Sequence, residues 1–506
     1  MHLGSLAPQL VNLWSLRPDI VVDPDTDPEE ALLLETPWED LRIKEPSAAL
    51  REAVRRMQLG PSAIPNILAS ASGSPGGAEK LLEELRPLQH LVVRTLAVGA
   101  VPLLSVVPIS GQARFTRLKP LLGRVCRLSR FAVIRCAPDG GLAVESSLVD
   151  HKVELHHPGV MGMLGRIDGA ADDFDAPHLP VAEAVRSYLV AAGVLVVADQ
   201  PTGHGPGAAE PTFAEDRDPA LTGWSPDELL VHSGSRRERY DRPRGAAFAQ
   251  VGKMPPPPVV RPPAATDPDR PAHRITLARP DLDGVPGTGP AAADPSLTAV
   301  LESGAGGLPV VEDGELSLDR LGALLYRAAR VRAMLPPADF DPAGYPTSER
   351  PYLSVDDSYA LELYVLADEG ESCLPPGAYH YDPLDHCLER MGGDPGAAAD
   401  LAGAARGGEP GPDGGPGPDG EATVFIGISA RFARAAYKFS GTAYSNVLKD
   451  VGALQQTLTL VARAMGLRSR VLPVGDADAF QRAVGMDWRV ESSVGDMIIS
   501  GCIPPS

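Results

Sequence analysis

Five cysteines, Cys126, Cys136, Cys373, Cys387 and Cys502, are the most obvious candidates for metal ligation or nucleophilic chemistry in this 506-residue chain. Zinc-type ligation needs partners at short spacing, and the chain has neither a C-x-x-C pair nor a Cys/His cluster with zinc spacing. No metal is therefore expected. Two cations stand in runs that could do other work. Lys438 lies in Tyr437-Lys438-Phe439 with Tyr444 shortly after, and Arg470 opens Arg470-Val471-Leu472-Pro473-Val474-Gly475-Asp476. Taken alone, Lys438 reads as a solvated helix lysine and Arg470 as half of a surface ion pair. The formal net charge of −20 repels phosphate backbones, so nucleic-acid binding is not expected, and the charge serves solubility.

The elements that must position these groups need more than one core, because a chain of this length is expected to hold about two or three domains. Gly and Pro number 52 each and are concentrated, which predicts linkers beside compact domains. The segment Met1 to Asp19 has no basic region followed by an apolar run, so it is not read as a secretory signal. No window reaches the roughly 18 apolar residues of a membrane helix. A reducing cytoplasm is the expected location.

Residues 1–125 read as an N-terminal α/β region. Ser47 can cap a helix running through Met57, and two β-rich runs, 91–93 and 103–107, are split by Gly99. Residues 126–202 predict a winged-helix-like module. It holds a hairpin of 131–134 with 142–145, helices over 160–166 and 182–191 with Gly193 as C-cap, and a closing strand at 195–197. Residues 203–293 form a Pro/Gly-rich linker with a docking island at 224–248. That island carries Trp224, Leu229 and the basic run Arg236-Arg237-Glu238-Arg239, and Pro255-Pro256-Pro257-Pro258 follows it. Residues 294–506 read as one domain mixing helices and strands, so the fold class is α+β. Asp294 is the expected N-cap with Pro295 at the first helical position, and Ser317 caps a second helix. Strands are expected at 361–366, 378–381 and 424–428. Residues 392–420, almost all Gly, Pro, Ala and Asp, are expected to be a disordered insert. Val447, Val451, Leu454, Leu458, Val461 and Met465 share one helical face that Gly466 ends.

The phrases after residue 295 resemble one family in both content and order. They are 325–332 (LYRAARVR), Arg350-Pro351-Tyr352, Leu361-Glu362-Leu363-Tyr364, 376–383 (PGAYHYDP), 448–454 (LKDVGAL) after Tyr444, Met465-Gly466-Leu467, and Glu491-Ser492-Ser493-Val494-Gly495-Asp496. Together they resemble the SagB-type azoline dehydrogenases, which implies a nitroreductase-like fold. Upstream, Arg127-Leu128-Ser129-Arg130-Phe131 and Leu229-Leu230-Val231-His232-Ser233 look like the N-terminal half of versions from thiopeptide-like pathways. There the small module resembles winged-helix domains that grip leader peptides; packing against the catalytic domain is the other reading. The resemblance implies a two-electron oxidation of an azoline, made by a cyclodehydratase on a precursor peptide, to the aromatic azole. Flavin mononucleotide (FMN) would take the hydride and a protein base the proton. It also implies a dimer with flavin at the subunit interface.

Four places build the flavin site in that family, and each departs here. An arginine-rich phosphate pattern is replaced by Glu302-Ser303-Gly304-Ala305-Gly306, with no arginine between Asp281 and Asp319. A P-S-G-G turn becomes Leu353-Ser354-Val355-Asp356-Asp357, keeping only Ser354. A Lys-Tyr pair serving proton removal becomes Lys438-Phe439, with Tyr437 and Tyr444 as possible substitutes. A glycine loop offering N–H groups to phosphate becomes Arg470 to Asp476, where Pro473 has no N–H and Arg470 and Gly475 remain. The leading expectation is thus a flavin-poor subunit that pairs with an intact homologue or scaffolds the complex. One alternative is an active FMN enzyme using Lys438 and Tyr444 for proton transfer with Ser354 near the ring. The other is a leader-peptide-binding scaffold.

Overall fold

The computed structural model describes residues 9–23, 31–69, 76–116, 124–137, 140–164, 179–199, 210–236, 245–262, 274–282, 294–302, 315–337, 343–368, 373–407 and 423–501. They divide into two units, Met1–Pro243 and Arg244–Ser506. Each is built on a mixed arrangement of helices and antiparallel sheet. Among the described residues no helix is long and apolar enough to cross a membrane.

In the first unit Leu103, Leu104, Ser105, Val106 and Val107 are all buried, so the strand Val101–Pro108 is covered on both faces and must lie centrally. It sits in a seven-stranded sheet ordered Ser62–Ala63, Leu10–Leu16, Val92–Val98, Val101–Pro108, His151–Leu155, Leu142–Ser146, Ala132–Cys136. Val106, Val153 and Val144 form one cross-strand row that packs with Tyr188 and Leu189 of the helix Leu179–Ala191. The expected hairpin is present, with Val144 opposite Ile134. Ser47 accepts from the Leu50 amide, and Gly193, at φ +79°, ends its helix in the left-handed region that glycine adopts freely. The hairpin shares one sheet with the strands before residue 125, because His151–Leu155 pairs with Val101–Pro108 and carries the sheet back to Leu10.

The second unit holds another seven-stranded sheet, ordered Arg274–Thr276, Cys387–Arg390, Gly377–Asp382, Leu361–Ala367, Thr423–Arg431, Glu491–Ser500, Arg468–Leu472. Helices Leu318–Ala329 and Ala443–Ala464 bury Leu324, Leu325, Val451 and Leu458 with Leu363, Val365, Ile426 and Ile428. Tyr364, Leu366 and Phe425 pack instead with Ala397, Ala398 and Ala402 of the helix Pro395–Gly407 and with Phe480 and Val484 of Ala477–Val484. Helices on both faces explain why Leu361–Ala367 is buried throughout instead of alternating.

Two expectations change here. Residues 392–420 do not begin as a disordered insert: Pro395–Gly407 is helical, and its alanines allow close approach to the sheet. Residues 408–420 lie outside the described residues. The first helix of the domain is Leu297–Glu302, and its cap is Ser296, whose Oγ accepts from the Ala299 amide at 3.1 Å. The Asp294 carboxylate is bound instead to Arg327.

Candidate functional site

Ser354 survives in the departed P-S-G-G turn, and the structure gives it a partner 96 residues away. Its Oγ donates to Asp450 Oδ2 at 2.6 Å, the Val355 amide donates to Asp450 Oδ1 at 2.8 Å, and Ser358 Oγ reaches Oδ2 at 3.3 Å. The Tyr359 amide closes the turn on Ser354 Oγ at 2.9 Å. Asp450 is buried on the long helix Ala443–Ala464, and burial holds its carboxyl above the ordinary value despite these bonds. The turn also keeps backbone suited to glycine without glycine: Asp356, Asp357 and Tyr359 have φ of +48°, +52° and +41°. Such residues cost on the order of 1–2 kcal/mol each, least for aspartate. The Asp356 and Asp357 side chains are exposed.

Lys438 ends the helix Phe432–Lys438, and its Nζ donates to the carbonyl oxygen of Asp356. The structure therefore brings Lys438 and the Ser354 turn together. The amine also lies 5.5 Å from the Tyr345 ring centroid and 5.8 Å from that of Phe439. Tyr437 is buried, stacked on Tyr345 at 5.8 Å, and its hydroxyl donates to the Ala343 carbonyl at 3.1 Å. Tyr444 is 50% exposed and its ring lies 6.4 Å from Phe432. Its contact is with Phe432, on a different element from the Ser354 turn.

Beside Lys438, the fully buried Arg434 donates to three carbonyls: Ser358 at 2.6 Å, Pro257 at 2.9 Å and Pro346 at 2.8 Å. Arg431 donates to Pro258 and Val259, each at 2.7 Å, and Arg350 to Val259 at 3.3 Å. The Pro-rich stretch expected as free linker is thus strapped down by guanidinium groups. Proline offers a carbonyl and no N–H, so donors are what its binding site must supply. The island's last residues dock nearby: Gly245–Ala246 pairs with Phe439–Ser440, and the Phe248 amide donates to the Lys438 carbonyl at 3.1 Å.

An ionic group lies in the same unit. Glu362 is 3.0 Å from His380 Nε2 and 2.8 Å from Arg431 Nε. Burial pushes the Glu362 carboxyl up, but Arg431 and then His380 outweigh it and hold it at about 2. His380 is opposed by burial and raised by Glu362 and Glu389. At the sheet edge, Asp382, Cys387 and Glu389 lie close enough to share an ion, but Arg274 pairs with Asp382 at 3.1 Å and Glu389 at 2.9 Å. That guanidinium stands where a metal cation would be needed.

The fourth place is also turned inward. Arg470 is exposed on the strand Arg468–Leu472. A Cβ at Gly475 would collide with the buried Asp496 carboxylate, so glycine is required there by a side chain of this chain. Ser493 Oγ donates to Asp496 at 2.9 Å, and burial raises that carboxyl. Asp476 caps the helix Ala477–Val484 through the Ala479 amide at 2.8 Å. Of the first place, residues 303–306 lie outside the described residues.

In the first unit the run Arg127 to Phe131 is organised by buried Glu215. Its carboxylate accepts from Arg127 Nη2 at 2.8 Å, Ser129 Oγ at 2.7 Å and the Arg130 amide at 3.0 Å. Arg130 also donates to the Leu221 and Trp224 carbonyls, which fixes the start of the island to this unit. Arg237, Glu238 and Arg239 lie outside the described residues.

Sequence reasoning missed Asp450 and the buried arginines. Asp450 had a readable signal: Val447, Asp450, Val451 and Leu454 are spaced i, i+3, i+4, i+7, which puts a carboxylate on the apolar stripe.

A family model for the cyanobactin oxidase ThcOx matches residues 126–241. That match falls within the first unit and covers less than half of the chain. No curated protein matches. Among solved structures, a nitroreductase from Anabaena variabilis is 22% identical with a TM-score of 0.30, over 36% of this chain and 34% of that one. The chain thus spans about a third of that relative's length. A nitroreductase from Ralstonia eutropha is 20% identical with a TM-score of 0.32, over 50% of this chain and 100% of that one. The Escherichia coli microcin synthetase McbBCD complex with truncated pro-MccB17 bound is 20% identical with a TM-score of 0.30, over 46% of this chain and 79% of that one.

Proposed function

We propose that this chain is a flavin-poor subunit of an azoline-to-azole dehydrogenase system that modifies a thiazole/oxazole-type precursor peptide in the cytoplasm. It would pair with an intact homologue in a dimer of nitroreductase-like domains, and a cyclodehydratase would supply the azoline. The observation that carries this reading is the self-satisfaction of the Ser354 turn. Its hydroxyl and the Val355 amide are spent on Asp450, and Lys438 is spent on the Asp356 carbonyl. The FMN phosphate is close to a dianion and calls for free N–H groups or cations. The described residues at this turn and at Gly475 instead present Asp356, Asp357, Asp450 and Asp496, so they do not fit that group. No step through a flavin is derived for this chain.

Two other readings keep a specific support. The meeting of Lys438 with the Ser354 turn favours an active FMN enzyme with a rearranged site, in which Lys438 and Tyr444 move the proton and Ser354 lies near the ring. The resemblance of Arg127 to Phe131 and Leu229 to Ser233 to the N-terminal half of thiopeptide-like versions favours a leader-peptide-binding scaffold.

The test is visible absorbance of the purified full chain after excess FMN and desalting. The expected result is a colourless protein, and co-expression with an intact homologue should yield a complex carrying flavin on the partner alone. A yellow chromophore near one per chain overturns the leading reading, and loss of turnover in Lys438→Ala would then establish the active enzyme.

A further inference from the structure

A buried guanidinium is costly unless hydrogen bonds or a counter-charge replace its water. Among the described residues Arg17, Arg94, Arg350, Arg431 and Arg434 are buried. Arg17 is held by Asp19 and the Pro108 carbonyl, and the three in the second unit by the bonds given above. Arg94 differs. It is 7% exposed, its Nε is sealed from solvent without a hydrogen-bond partner, and no carboxylate among the described residues pairs with it. Its contact is the Trp14 ring, 3.6 Å from Cζ to centroid, which suits a flat cation but leaves the buried Nε–H unused.

A second group beside it is also unsatisfied. His151 is 5% exposed and its Nε2 is buried with no partner. Trp14 pairs with Arg94, Arg94 with Val106, and His151 with Pro108, so these side chains share one sheet face. Along that face the Leu16–Val92 row belongs to one hydrophobic cluster and Leu96 to another, and Arg94 sits at the seam between them. Phe115, 6.0 Å from His151 and 5.3 Å from Tyr188, lines the same seam.

We propose that Arg94 and His151 form a binding site for a single carboxylate group, with Trp14 holding the guanidinium flat to receive it. One guanidinium supplies one positive charge and a fork that matches a carboxylate. Burial, against Asp150 and together with Arg94, keeps His151 neutral, at about 4, so it offers a hydrogen bond and no second charge. A phosphate dianion would be left half-neutralised among aromatic rings, which argues against it. The source is an acidic side chain of a peptide, a peptide C-terminus or a small free acid. The site stands whether or not the second unit binds flavin.

The test follows tryptophan fluorescence of the full chain, with Trp14→Phe as signal control. Acetate, N-acetylglycine and N-acetylglutamate α-amide are titrated against chloride and inorganic phosphate at constant ionic strength. A saturable change with at least one carboxylate is expected, absent with chloride and phosphate and lost in Trp14→Phe. Affinity should fall by about tenfold or more in Arg94→Met and a few-fold in His151→Gln. Preference for N-acetylglycine assigns a chain terminus, preference for the glutamate amide a side chain, and preference for acetate a small acid. No saturable response in the wild type, or unchanged affinity in either variant, overturns the site. Phosphate binding as tightly as carboxylate overturns the ligand class. Should Arg94→Met not fold, His151→Gln decides by the same criterion.

Discussion

Arg434 and Arg94 carry the same side chain into two interiors with opposite results. In the second unit every direction of the Arg434 guanidinium meets a backbone carbonyl, and three separate segments hang on it. In the first unit Arg94 lies against an aromatic face with its buried Nε unsatisfied. Burial pulls both guanidinium groups down to about 10, so both carry the desolvation cost. Among the described residues only one of them recovers it through hydrogen bonds. A fully satisfied buried cation organises structure, whereas an unsatisfied one marks a place where something else is expected to bind.

The sharpest way to break this contrast is to replace each arginine by methionine, similar in length and uncharged. Arg434→Met strands three carbonyls, one buried and two part-buried, and is expected to cost about 3–5 kcal/mol in denaturant unfolding of the second unit. Arg94→Met strands nothing and is expected to leave the first unit unchanged or stabilise it by about 1 kcal/mol or more. Hydrogen exchange read by mass spectrometry resolves the two sheets. Equal losses would put Arg94 in a structural role.

Next in size is Asp450→Ala, which frees Ser354, the Val355 amide and Ser358 together. A loss of about 2–3 kcal/mol is expected, with protection falling first in residues 353–359. A change spread evenly over the unit would remove Asp450 as the anchor of that turn.

Acid should separate the units through their histidines. His151 is held below its ordinary value by burial, so the unfolded chain takes the proton first. The first unit therefore loses stability as pH falls from about 6.5 toward 4. His380 is raised by Glu362 and Glu389, so its contribution is complete below 6.5 and disappears as pH rises through its folded value. Glu362 contributes above about 4.5 and fails only as pH approaches 2. His151→Gln should flatten the loss in the first unit alone, visible as exchange protection against pH.

The smallest expected effect is at the strained turn. Asp356→Gly relieves a left-handed aspartate but adds unfolded-state freedom, for a net gain below about 1 kcal/mol. A clear loss instead would mean that the carboxylate, not the backbone, is what the turn uses.

Much of the local structure was legible in the residues themselves. Ser47 and Ser317 cap the helices they were expected to cap, and the 131–145 hairpin and the stripe from Val447 to Met465 are present. Each of these signals is contained within a few turns of chain, where spacing and capping chemistry act directly. Composition misled where it stood in for contacts. Ala-rich 395–407 is a packed helix and Pro257 to Val259 is a bound strap, because small side chains and bare carbonyls acquire value only against a partner surface.

The candidate sites divide in the same way. The sequence by itself determined that Ser354 stood without its glycines, that Lys438 was followed by phenylalanine, and that Asp450 fell on an apolar stripe. Only the tertiary structure decided that Asp450 closes the Ser354 turn, that Lys438 is tied to Asp356, and that Arg434 is satisfied while the Arg94 Nε has no partner among the described residues. Such pairings join residues far apart in the chain, and periodicity within one element carries no information about which distant group will meet it.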